Sequence, residues 1–133
     1  MKKLIAIVVL LLLGGCAPTL AEIRASEPVA QRLVKKTPEC VHSKLTSFAL
    51  EYGSGEYFKT APSWEHSYDP TTQKGELVGS FPSANFILFV YNTIPTENGT
   101  SIIMKSFEKE ERGFARIGFH IFNKTDFSLC PEK

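Results

Sequence analysis

Ten consecutive side chains, Leu4 to Leu13, carry no polar atom, and they sit behind Met1-Lys2-Lys3 and ahead of Gly14-Gly15-Cys16. A helix of ten residues is about 15 Å long, half of the roughly 30 Å hydrocarbon core that a permanent span must cross. A basic start, a short apolar stretch and small residues before a processing point together read as a secretory signal, which takes no part in the folded domain. The alternative, a buried N-terminal helix, would need a polar face toward water, and this stretch has none. Eleven of the first 15 residues are apolar, so the 43% apolar content of the 133-residue chain overstates what the domain has for a core. The net charge of +1 also depends on Lys2 and Lys3; without residues 1–15 it becomes 13 − 14 = −1. A balance so near zero offers no basic footprint for nucleic acid.

Leu13-Gly14-Gly15-Cys16 resembles the lipobox of bacterial lipoproteins: an aliphatic residue, two small ones and a cysteine. The resemblance covers the first 16 residues. It implies a diacylglyceryl group on the Cys16 sulfur, cleavage before Cys16, and a further fatty acid such as palmitate on the new amine. One acyl chain binds a membrane marginally, whereas two or three hold it stably. Ala17, not Asp, follows the cysteine, which in a Gram-negative cell implies release to the outer membrane, facing the periplasm. The competing reading leaves Cys16 as an ordinary thiol after cleavage near Ala17 or Ala21.

The chain has three cysteines, an odd count that calls for an explanation in an exported protein. With Cys16 assigned to lipid, Cys40 and Cys130 remain as a pair in an oxidising compartment, and a disulfide is expected. Metal ligation is the rival, but two cysteines without a His pair nearby match no zinc spacing.

Three segments follow: a signal peptide over 1–15, a flexible tether over 16–36, and one small domain over 37–133. The tether contains Pro18, Pro28 and scattered charges without an aromatic residue. Thr37-Pro38-Glu39 supplies a capping hydroxyl, a proline at the first helical position and an early carboxylate. Val41, Leu45, Phe48 and Tyr52 then recur at helical spacing, and Gly53 or Gly55 stops the helix. Short β-type runs follow over 56–60, 64–68, 76–81, 85–92, 101–107 and 114–122. Asn98-Gly99 marks a hairpin turn. Phe114–Phe122 reads as the last strand, with Ala115, Ile117, Phe119 and Ile121 alternating to one face. The expected fold is α+β: one N-terminal helix packed on an antiparallel sheet of about four or five strands, in two layers.

No catalytic set emerges. His42, His66 and His120 stand apart, with none of the spacings that gather a metal. Gly53-Ser54-Gly55 is a helix stop and not a nucleophile elbow. Glu108, Glu110 and Glu111 alternate with Lys109 and Arg112, as in a solvated turn. No enzyme activity, cofactor or metal is expected. Trp64, His66 and Tyr68 alternate and so share one face of a strand, with Tyr57 and Phe58 just before them. That aromatic group is the candidate binding surface, because Trp and Tyr supply large contact areas with a polar tip; the competing reading makes it plain core. The functional expectation is a lipid-anchored, non-enzymatic module that binds a protein partner in envelope assembly, maintenance or secretion. The alternatives are a binder or sensor of a small apolar ligand, and an immunity or inhibitor lipoprotein against an exported toxin or lytic enzyme.

Overall fold

A computed structural model describes residues 18–53, 62–81 and 86–133. Cys16 and the expected strand over 56–60, with Tyr57 and Phe58, lie outside the described residues. Among the described residues, three helices and five strands follow in the order α1 (Leu20–Ala25), β1 (Ala30–Val34), α2 (Pro38–Gly53), β2 (Ser63–Asp69), β3 (Lys74–Phe81), β4 (Phe86–Thr96), β5 (Gly99–Ser106) and α3 (Ala115–Lys124). The fold is α+β, with one antiparallel sheet in the order β1-β5-β4-β3-β2.

Helix α2 begins where its capping signals place it, with the Val41 amide donating to the Thr37 carbonyl at 3.0 Å. Val41, Leu45 and Ala49 point into the core and are fully buried. They meet Leu77, Phe89, Tyr91, Ile102 and Met104 from the three inner strands. Strands β2 to β5 form a continuous meander, because each turn is short enough to return the chain beside itself. Between Gly79↔Phe89 and Ser80↔Ile87 the register shifts, so Leu88 is the extra residue of a bulge. Phe89 thus stays in the main core while Ile87 packs with Val78 and Val90 on the opposite face.

The tether expected over 16–36 is largely structured. Helix α1 is capped by Thr19 Oγ1, which accepts from the Glu22 amide, and buries Ile23 against Val78 and Val90 on the far face of the sheet. Strand β1 pairs antiparallel with β5, from Ala30↔Met104 to Val34↔Thr100. The reason is a backbone requirement. The outer edge of β5 carries a row of amides and carbonyls that need partners, and β1 supplies them. Gly99 (φ 153°) sits at this junction, where a Cβ would come within 2.1 Å of the Val34 carbonyl oxygen.

Phe114–Phe122, expected as the last strand, is instead helix α3. Its buried residues Ala115, Ile117, Gly118, Ile121 and Phe122 form a helical stripe. Because β1 already occupies the edge of β5, no ladder position remains there for a sixth strand. Helix α3 packs beside α2 on the same face, and Tyr52 of α2 stacks on His120 of α3 at 4.2 Å. The expected single helix on one face is therefore a pair, with α1 on the other face.

Cys40 in the first turn of α2 is bonded to Cys130, with the two Cα atoms 5.6 Å apart and 90 residues between them in sequence. The Thr37 amide donates to the Pro131 carbonyl at 3.1 Å, and Lys36 forms an ion pair with Glu132 at 2.7 Å. The C-terminal segment is thereby fastened to the start of α2. Among the described residues no helix is long and apolar enough to cross a membrane.

Candidate functional site

Strand β2 is an outer strand of the sheet, and its alternation turns Trp64, His66 and Tyr68 toward the face that α2 covers. Their cross-strand neighbours are Gly79, Leu77 and Gly75. The two glycines make room for rings: a Cβ on Gly79 would lie 2.7 Å from Trp64 Cζ3, and one on Gly75 would lie 2.3 Å from His42 Nδ1.

The three aromatic residues do not share one environment. Trp64 is half-buried and stacks on Phe89 at 5.9 Å between ring centroids. Its indole Nε1 is enclosed without a hydrogen-bond partner, so Trp64 belongs to the rim of the core and not to an open surface. Tyr68 is half-buried against His42, with ring centroids 5.5 Å apart. Burial raises its phenol pKa, helped by the carboxylates of Glu39 and Asp69. His66 is exposed, and its Nδ1 lies 3.3 Å from His42 Nε2.

His42 is the residue that the linear pattern missed. It lies in α2 one position past Val41, on the flank of the apolar stripe, and is only 5% exposed. Burial lowers its pKa, and the neighbouring His66 lowers it further. Its other nitrogen, Nδ1, is buried without a partner, as is Thr93 Oγ1 on the adjacent strand β4. The available signal was the pair His42 and Thr46, two polar residues one turn apart beside Val41 and Leu45, both of which are buried. A cavity of about 310 Å³ opens beside the histidine pair, lined by Glu39, His42, Thr46, Ser47 and His66 among others. The three histidines read as isolated are thus two of a pair and one apart. His120 stacks on Tyr52 and Phe48 in the seam between α2 and α3.

A second concavity, of about 370 Å³, lies where β4, β5 and the start of α3 meet. Leu88, Phe89, Phe107, Phe114 and Ala115 line it, with Glu108 and Arg112 at its margin. Phe107 and Phe114 are 58% and 54% exposed. Arg112 pairs with Glu108 and Glu110, each at 3.4 Å, within the charged turn. The strands expected over 101–107 and 114–122 include these phenylalanines; the turn between β5 and α3 carries both to the surface instead.

Among the described residues no group of three or more His, Cys, Asp or Glu side chains comes together. Comparison with models of known protein families, with curated proteins and with solved structures finds no match to this chain.

Proposed function

We propose that this chain is a lipid-anchored, non-enzymatic module of the bacterial cell envelope, held at the periplasmic face of the outer membrane and engaging a protein partner. The observation that carries the reading is the Cys40–Cys130 bond, which accounts for two of the three cysteines and leaves the third, Cys16, at the end of a lipobox-like sequence. The oxidised pair agrees with an exported domain. The partner surface in this reading is the Phe107–Phe114 cleft, since two exposed aromatic rings beside one apolar hollow are the kind of surface that a partner covers.

Intact-mass spectrometry of the membrane fraction tests the anchor. A mature chain starting at Cys16 with diacylglyceryl and acyl mass is expected, and C16S should remain uncleaved and unlipidated. An unmodified Cys16 in the mature protein would remove the basis of the reading. For the partner, a photo-crosslinking residue at position 107 should capture a defined envelope protein, and F114S should abolish that product.

One observation favours a second reading. The cleft volume falls within the range of about 300–1,000 Å³ typical of small-molecule sites, which fits an apolar ligand. Native mass spectrometry separates the two readings: retained ligand supports the second, and an always-empty domain supports the first.

A further inference from the structure

The strongest unassigned geometry in the molecule is the His42–His66 pair. Two imidazole nitrogens bound to one tetrahedral zinc ion at 2.0–2.1 Å are about 3.3–3.4 Å apart. His42 Nε2 and His66 Nδ1 are separated by 3.3 Å. The spacing that a metal would impose is therefore already present, set by the packing of α2 against the edge strand β2.

The surroundings fit a chelate as well. When Nε2 of an imidazole binds a metal, Nδ1 carries the proton and needs an acceptor, and that outer contact sets the ring's tautomer. His42 Nδ1 is buried without such a contact, and so is Thr93 Oγ1. Both atoms crowd the space over Gly75, at 2.3 and 2.5 Å from where its Cβ would stand. The two atoms are not hydrogen-bonded to each other, but they border one space, which glycine at position 75 leaves open to them.

A carboxylate is also at hand. Glu39 precedes His42 by three residues, a spacing that places both side chains on one face of a helix. It lines the same cavity as His42 and His66, and its charge acts on Tyr68 in that cluster. Its side chain is exposed, and it places a negative charge at the margin of the cavity without joining the pair as a three-ligand group.

We propose that His42 Nε2 and His66 Nδ1 chelate a divalent transition-metal ion of the zinc, nickel and copper class, with water in the remaining positions. Such a site has an open position and exchanges its ion, unlike a closed four-ligand structural centre. Carriage or sensing of a metal at the envelope is thereby added to the anchoring role, and it does not depend on that role.

The test uses the full chain, oxidised and purified in detergent, stripped with EDTA and titrated with ZnCl2 by calorimetry and by histidine ¹⁵N NMR. One equivalent should bind, shifting the His42 Nε2 and His66 Nδ1 resonances and leaving His120 unmoved. H66A, a change at an exposed residue, should abolish saturable binding, and H120A should leave it intact. E39Q should weaken binding. Absence of saturable binding, or H66A binding like the parent, would overturn the proposal.

Discussion

The Tyr91 hydroxyl donates a 2.7 Å hydrogen bond to the carbonyl of Gly118, joining the central strand of the sheet to the middle of α3. Both residues are buried, and burial holds the Tyr91 phenol well above its ordinary pKa, so it remains a donor. Glycine at 118 permits this approach: a Cβ there would stand 2.5 Å from Phe89 Cδ1 and 2.7 Å from Met104 Cε.

G118A should therefore destabilise the protein despite favouring the helix. Overpacking a filled core costs about 1–3 kcal/mol, against a helix gain of about 1 kcal/mol. Urea denaturation should show a lower midpoint with an unchanged slope. Y91F, which keeps the ring and removes the donor, should cost about 1–3 kcal/mol by the same measurement. A neutral G118A would mean that α3 does not sit so close to the sheet.

Loss of the Cys40–Cys130 bond should be the most damaging change outside the core. The bond closes a loop of 90 residues, for which the chain-entropy account assigns roughly 4–5 kcal/mol. A net stability of this order is all that a domain of this size has in reserve. The C40S/C130S double variant, or the parent in a reductant, should melt at much lower temperature and expose the Thr37 amide, which donates to Pro131, to hydrogen exchange.

The pH dependence of stability should carry a His42 signature. Burial and the adjacent His66 lower the His42 pKa in the fold, whereas the unfolded chain takes up that proton near about 6.5. Below this value the unfolded state binds more protons than the native one, so stability falls as the pH drops, until the folded pKa is passed. Thermal melts from pH 8 to pH 5 should show this decline in the parent and a shallower one in H42Q. Equal slopes would place His42 in water, against its burial.

Strand β1 should behave as part of the sheet. Its amides that donate to β5 should resist hydrogen exchange. Arg32 is the side chain to test, because its Nη1 donates to the Phe122 carbonyl at 3.2 Å and its guanidinium lies 5.1 Å from the centre of the Phe127 ring. R32A should cost about 1–2 kcal/mol, and R32K should recover only part of it, since an ammonium lacks the planar face. A tether without structure would show neither effect.

Local signals were legible where one chemical requirement acts over a few residues. The Thr37-Pro38-Glu39 start, the stripe through Val41 and Leu45, and the Asn98-Gly99 turn all state their structure in the residues themselves. Phe114–Phe122 reads as a strand because aromatic and β-branched residues suit one, while its buried set Ala115, Gly118 and Phe122 also satisfies a helical period. What decides between them is where the apolar stripe can be buried, which as a helix packs on Phe89, Tyr91 and Met104. Strand β1 is hidden for the converse reason: its apolar residues do not alternate, since Leu33 is exposed while Arg32 is half-buried, and its place comes from the backbone needs of β5.

The sequence by itself determined the α+β class, the meander of four strands and the helix at its head, because hydrophobic period and turn chemistry act within short windows. It also singled out Cys40 and Cys130 by count. Tertiary structure alone decided which strand closes the sheet, that the last apolar segment is a helix, that Trp64 turns inward, and that His42 meets His66. These are outcomes of competition among distant segments for one sheet edge and one core. Residues 24 apart in sequence acquire a 3.3 Å contact when α2 packs on β2, and no local pattern encodes such a distance.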